Sequence, residues 1–196
     1  MELSSRTVIA YHGCVGEDSR AFGQRLLRGE IPVAEWLPSR KEYDWLGEGI
    51  YFWEDSVDRA IEWSARGGEE PFVVGAIIDL GRCFDLTQPE NHRLLRETHK
   101  SIAEAHRRQG RPLPTNAGAG GMMHHLDCFV INQAMVDADA WLTVSATEDR
   151  YFQTVRCPFE EGQPVFPGSM IRTQTHIQIA VRDLRAIRGV FRPSVS

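Results

Sequence analysis

The segment from Phe72 to Leu80 places the strongest constraint on what this chain can fold into. It is an almost continuous apolar run, rich in valine and isoleucine, and it ends at a turn. Such a run is typical of a strand that is covered on both faces. We therefore predict a central strand with other elements packed above and below it.

Two units that each consist of a strand followed by a helix are predicted before this run. The strands cover residues 7–11 and 50–53. The first helix begins with Asp18 or Ser19 as its cap and runs towards Gly29, and the second begins at Asp55 or Ser56 and stops before residues 67–68.

The rest of the chain is predicted to change from helical to β structure. Pro89 opens a polar helix that extends to about Gln109, and a second helix covers residues 126–140. Glycines and prolines mark residues 110–121 as a loop. Three strands are then predicted over residues 152–159, 175–181 and 187–191.

Composition restricts the class of protein. The chain has 196 residues, of which 42% are hydrophobic and 25% are charged, so we expect one globular domain with a substantial core. A net charge of −5 gives no general attraction to nucleic acid. The N-terminus lacks the profile of a secretory signal and no apolar run could span a bilayer, so we expect no membrane partner and a soluble, cytoplasmic protein.

No metal or nucleotide-loop motif is predicted. Histidines 92, 99 and 106 recur every seven residues, roughly 10 Å apart on a helix, which is too far to share one ion. The adjacent His124 and His125 are assigned to structure, and the four cysteines lack metal or redox spacing, which favours free buried thiols. Residues 118–123 do not match a dinucleotide fingerprint, and no P-loop sequence is present.

Three short motifs together indicate a ligand pocket. They are Tyr11-His12-Gly13, Gly47-Glu48-Gly49-Ile50-Tyr51-Phe52 and His176-Ile177-Gln178. The glycines beside Glu48 allow the backbone to lie close to a ligand, and Tyr51 offers a flat face to a planar ring. Each motif alone fits a simple turn or strand end equally well, whereas the three in this order favour a site built from three separated strands.

These motifs resemble those of the histidine–tyrosine–glutamate class of ADP-ribosyltransferases, the group that contains diphtheria toxin and the poly(ADP-ribose) polymerases. The resemblance implies an α+β fold with two packed, mainly antiparallel sheets and flanking helices. It also implies a single domain over residues 1–196, with a helical and loop insertion at about 88–145.

The resemblance further implies that NAD is the substrate and assigns roles to individual residues. His12 would bind a ribose hydroxyl, the backbone of Gly13 would hold the nicotinamide amide, and Tyr51 would stack on the nicotinamide ring. The other residues expected to bind the cofactor are Tyr43, Gly49 and Ala60. Tryptophans 45 and 53 are further candidates for the wall of the pocket.

The expected catalytic set is His12, Tyr51, Gln178 and Glu161. Gln178 occupies the place of the catalytic glutamate, and a neutral amide can hold a hydroxyl but cannot offset the charge of a cationic sugar. A carboxylate of Glu161, of Glu160 or of Asp127 is expected to supply that charge. Two more positions depart from the family pattern: Cys14 replaces Ser or Thr, and Arg59 replaces the Ser that binds the nicotinamide amide.

The expected function is mono-ADP-ribosylation of a macromolecular acceptor, either protein or nucleic acid. By analogy the enzyme would serve as a bacterial toxin or defence effector, with an antitoxin or inhibitor protein as a partner. Two alternatives stay open at this point. One is a noncatalytic module that binds NAD or ADP-ribose, and the other is an enzyme resembling the RNA 2′-phosphotransferases, which also lack the glutamate.

Overall fold

The computed structural model describes residues 6–68, 70–117, 123–142 and 150–194, which form an α+β fold. The strands are β1 (Thr7–Cys14), β2 (Ile50–Glu54), β3 (Phe72–Asp79), β4 (Cys83–Asp85), β5 (Thr154–Phe159), β6 (His176–Val181) and β7 (Ile187–Phe191). The α-helices are α1 (Glu17–Leu27), α2 (Val57–Ser64), α3 (Pro89–Arg108) and α4 (His125–Asp139). Short 3₁₀ turns cover Val33–Glu35, Ala65–Gly67 and Leu184–Ala186.

The described strands form one seven-stranded mixed sheet in the order β4-β5-β6-β2-β1-β3-β7. Neighbouring strands are antiparallel except for β4 and β5, which are parallel. This corrects the expectation of two separate sheets. Short pairing between β1 and β2, at Ala10–Glu54 and Tyr11–Trp53, joins the half β4-β5-β6-β2 to the half β1-β3-β7.

The apolar run that we expected at the centre of the sheet forms β3, which lies next to the edge. It pairs with β1 on one side and with β7 on the other. Val73 and Val74 point to opposite faces and are both buried, whereas Ile77 is 38% exposed. Burial on both faces therefore applies to the first part of the strand, and the short strand β7 takes the edge position.

The core is divided between the two faces of the sheet because successive side chains of a strand point to opposite sides. On β6, Ile179 belongs to the cluster that includes Leu26 of α1, whereas Ala180 belongs to the cluster that includes Met135 of α4. The first cluster contains side chains from both halves of the sheet, which are Val8, Ala10, Phe52, Val74, Ile78, Ile179 and Val181. Packing against this shared core holds the two halves together.

Helix α2 covers the other face of the half that contains β1. Ala60 packs with Trp53 and Val73, and it has no exposed surface. Its carbonyl oxygen lies so close to Gly13 that a Cβ atom at that position would overlap it. Gly13 is therefore required for the close approach of the helix to the strand.

Helices α3 and α4 occupy the stretch at 88–145 that was expected to be an insertion. The histidines of α3 lie at its surface, with His92 and His99 exposed. In the ranges that the structure describes, no helix combines the length and the apolar character needed to cross a membrane. The predicted loop at 110–121 contains no helix as far as residue 117, and its last four residues lie outside the described ranges.

The four cysteines are free, as expected from their spacing. Cys14 and Cys128 are buried, whereas Cys83 and Cys157 are partly exposed. Burial raises the pKa of the Cys14 thiol to about 11. These thiols are therefore protonated at neutral pH and are assigned to packing.

Candidate functional site

A cleft with a volume of about 690 Å³ opens where β1 and β2 diverge. It is lined by most of the residues that the sequence motifs singled out, which are His12, Gly13, Tyr43, Gly49, Tyr51, Glu161 and Gln178. Ala60 is the exception, because it is fully buried beneath Gly13 and does not reach the cleft. Residues far apart in the sequence thus share one cavity.

The backbone of Gly13 faces the gap between the diverging strands. The carbonyl oxygen of Ile9 accepts a hydrogen bond from the Asp55 N–H across the two strands, at 3.0 Å. Backbone groups of an antiparallel strand alternate in direction, so those of Tyr11 and Gly13 also face β2. The ladder ends at the pair Tyr11–Trp53, which leaves the N–H and C=O of Gly13 directed at the opening.

His12 bridges this gap through its ring. Its Nδ1 lies 2.8 Å from the carbonyl oxygen of Tyr51, and because a carbonyl can only accept, Nδ1–H is the donor. Nε2 then carries the lone pair. The ring packs against Trp36 and Phe52, and burial lowers the pKa of His12 below its ordinary value of 6.5. His12 is thus a neutral acceptor at the cleft.

Burial of the neutral His12 predicts that acid destabilises the fold. Its pKa in the folded state lies below 6.5. As the pH falls past 6.5, the unfolded chain therefore binds more protons at this residue than the folded chain does. The stabilisation present above 6.5 is therefore lost as the pH falls through the folded-state pKa. Urea unfolding between about pH 7.5 and about pH 5 should show a steeper loss in the wild type than in His12→Gln, which keeps a donor for the Tyr51 carbonyl but does not titrate. Equal slopes would contradict this assignment.

Tyr51 ties the strand to the loop that precedes it. Its hydroxyl donates to the carbonyl oxygen of Gly47 at 2.8 Å and accepts from the N–H of Leu46 at 3.0 Å. Burial, followed by the negative charge of Asp44, raises the pKa of the Tyr51 hydroxyl well above 10. The residue is therefore a neutral phenol whose ring forms a flat wall of the cleft.

The Gln178 amide is held in one orientation by partners at both ends. The indole N–H of Trp45 donates to its Oε1 at 2.6 Å. His176 donates from Nδ1 to the carbonyl oxygen of Gln174 at 2.7 Å, so its Nε2 accepts from the Gln178 amide nitrogen at 3.0 Å. Burial lowers the pKa of His176 below 6.5, which keeps this arrangement neutral at pH 7.

Glu161 is the one of the three proposed carboxylates that lines the cleft, and its charge is compensated. It forms an ion pair with the buried Arg59, and Arg66 lies 3.6 Å from its other oxygen. Glu160 is exposed. Asp127 lines a different cavity, which lies between α3 and α4, and it accepts a hydrogen bond from Asn116.

Three further residues of the cleft are not part of the site expected from the sequence, and one of them, His124, was assigned to structure there. Asp44 lies in the loop between two aromatic residues that were noticed, and its carboxylate accepts a hydrogen bond from the Lys41 N–H at 2.9 Å. Trp63 is 37% exposed and carries Arg66 over its ring, 4.4 Å from the centroid. His124 lies beside Trp45. The aromatic residues on either side of Asp44 were the sequence signal that could have identified it. The positions of Trp63 and His124 depend on how helices pack, which the sequence does not show.

In the described part of the chain, no three His, Cys, Asp or Glu side chains are grouped to hold a metal ion. Comparison with protein-family models, with curated proteins and with solved structures found no match to this chain. What the cleft can bind therefore follows from the donors, acceptors and aromatic faces of its own walls.

Proposed function

We propose that this protein is an NAD-dependent mono-ADP-ribosyltransferase that acts on a macromolecular acceptor, protein or nucleic acid. NAD would bind in the cleft between β1 and β2, and nicotinamide would be released. The observation that carries the proposal is that His12 and Gly13 of β1 and Tyr51 of β2 line one cleft, which lies where the pairing of the two strands ends. The sequence resemblance described above points to the same chemistry.

The gap suits the nicotinamide group of NAD. A carboxamide has one acceptor oxygen and one NH₂ donor side by side, and the N–H and C=O of Gly13 offer the complementary pair. A side chain at position 13 would overlap the backbone of α2 and so disturb the packing that positions these groups. The ring of Tyr51 provides a flat surface on which the nicotinamide ring can stack.

The neighbouring ribose can be held by neutral side chains. A ribose hydroxyl can donate to Nε2 of His12, which carries the lone pair in the tautomer that the Tyr51 carbonyl selects. Gln178, fixed by Trp45 and His176, supplies a second polar group in the same cleft. In the proposed binding mode these contacts would hold the sugar within the cleft.

A noncatalytic NAD or ADP-ribose binding module is the second candidate, and two features favour it. The amide of Gln178 is neutral and has partners at both ends. The carboxylate of Glu161 is neutralised by Arg59. Neither group as it stands offers a free negative charge to a cationic sugar, so a cleft that relied on these two alone would bind NAD without rapid turnover.

The proposal is tested by incubating the protein with NAD and measuring free nicotinamide and transfer of labelled ADP-ribose to protein and to RNA. We expect the wild type to bind NAD and to release nicotinamide. His12→Ala should bind NAD at least about tenfold more weakly, because a buried polar contact of about 1.4 kcal/mol is lost. His99→Ala, at an exposed position of α3, is the matched control.

Two outcomes separate the candidates. If the protein binds NAD but releases no nicotinamide with any acceptor, the transferase is rejected and the binding module is retained. Absence of NAD binding, or equal affinities of the wild type and His12→Ala, would reject both.

A further inference from the structure

The cleft contains a carboxylate that forms no ion pair with any basic side chain in the described part of the chain. We infer that Asp44 supplies the negative charge that stabilises the cationic sugar during the transfer. The inference rests on the proposed function and deepens it, since it identifies the group that replaces the missing glutamate. Asp44 lies in the loop before β2, far from position 178 in the sequence.

The surroundings of Asp44 differ from those of the other cleft carboxylate. Among the residues that the structure describes, Asp44 and Glu161 are the acidic side chains that line this cleft. Glu161 is paired with Arg59 and approached by Arg66. Asp44 accepts a hydrogen bond from the backbone N–H of Lys41, and in the described ranges it forms no ion pair with a basic side chain.

Asp44 lines the same cleft as His12 and Tyr51, to which we assign contacts with NAD. Burial and, after it, the negative charge of Asp44 raise the pKa of the Tyr51 hydroxyl, which agrees with a short distance between the two side chains. The ring of Tyr51 is the surface on which we place the nicotinamide. A carboxylate on the wall of this cleft is available to offset the positive charge that moves from the pyridinium ring to the sugar.

The chemical step balances without any further reactant. The bond between the anomeric carbon and the nicotinamide nitrogen breaks, and its electron pair stays on the nitrogen, which makes nicotinamide neutral. The positive charge passes to the anomeric carbon and the ring oxygen of the ribose, where the carboxylate of Asp44 stabilises it. A hydroxyl of the acceptor, or water, then forms the new bond from its oxygen and releases its proton to the solvent.

The test compares variants that change one charge each. Asp44→Asn removes the charge but keeps an acceptor oxygen for the Lys41 N–H. If this variant fails to fold, Asp44→Ser is used instead, because its hydroxyl also offers an acceptor. We expect kcat for nicotinamide release to fall by about 10-fold to 100-fold, with the Kd for NAD changed by less than about threefold. Glu97→Gln, on the exposed surface of α3, should behave as the wild type.

Glu161→Gln is measured in parallel, and it should reduce kcat less than Asp44→Asn does. An unchanged kcat in both Asp44 variants, or a larger loss in Glu161→Gln, would overturn the inference. Failure of the proposed function looks different, because the wild type would then bind NAD without releasing nicotinamide, and the inference would fall with it. If the wild type releases nicotinamide and the Asp44 variants do so at the same rate, the inference is rejected and the proposed function stands.

Discussion

Replacing Glu54 with alanine is expected to lower the free energy of unfolding by about 3–5 kcal/mol, because it leaves a buried positive charge without its main partner. Glu54 on β2 receives two hydrogen bonds from Arg156 on β5, at 2.6 and 3.1 Å, and one from Arg6 at 2.8 Å. The side chains of Glu54 and Arg156 are only 3% and 6% exposed. After the change, Asp85 at 3.0 Å would be the acidic partner left to Arg156 among the described residues.

Chemical denaturation of the single and double variants checks this expectation. Glu54→Leu combined with Arg156→Met removes both buried charges and should recover most of the loss, since apolar side chains of similar size replace such pairs at little cost. Glu30→Ala removes one partner of an exposed ion pair with Arg28 and should leave the unfolding midpoint unchanged. An equal loss in the single and double variants would show that packing, rather than charge, is responsible.

Replacing Tyr51 with alanine is expected to weaken NAD binding by about 10-fold to 100-fold, because stacking of a planar group on an aromatic ring is worth about 1–3 kcal/mol. The same change removes the two hydrogen bonds that tie the hydroxyl to Leu46 and Gly47. Titration with NAD at a temperature where circular dichroism shows a folded protein measures the affinity directly.

Tyr51→Phe separates the ring from the hydroxyl. It keeps the flat wall of the cleft, so the Kd for NAD should change by less than about threefold, while the free energy of unfolding falls by about 1–2 kcal/mol through the lost hydrogen bonds. If Tyr51→Phe binds NAD as weakly as Tyr51→Ala, the position of the 41–47 loop rather than stacking would account for the affinity.

The local elements were predictable because their signals lie within short windows. The alternation and turn residues around β2 and β6, and the apolar stripe of α2, identify these elements without knowledge of their neighbours. β4 was not predicted, since three residues are too few to show a period. The flat aromatic face at Tyr51 and the absence of a side chain at Gly13 are also recognisable as ligand-site features from the sequence alone.

The three-dimensional relationships within the site were not predictable in the same way. The pairing at Ala10–Glu54 that makes one sheet from two halves, and the early end of that ladder beside Gly13, depend on which strands meet. The burial of Ala60 depends on the packing of α2 against β1. The pairing of Glu161 with Arg59 joins residues 102 positions apart, and no spacing rule connects them.

The amino-acid sequence by itself determined which segments become strands and helices, and it marked His12, Tyr51 and Gln178 as residues to consider together. Only the tertiary structure decided how the His12 ring nitrogens and the Gln178 amide are directed, that Glu161 is neutralised, and that Asp44 has no ion pair among the described residues. The physical reason is range: secondary structure follows from periodicity within one segment, whereas hydrogen-bond direction and charge compensation depend on side chains that folding brings together from distant parts of the chain.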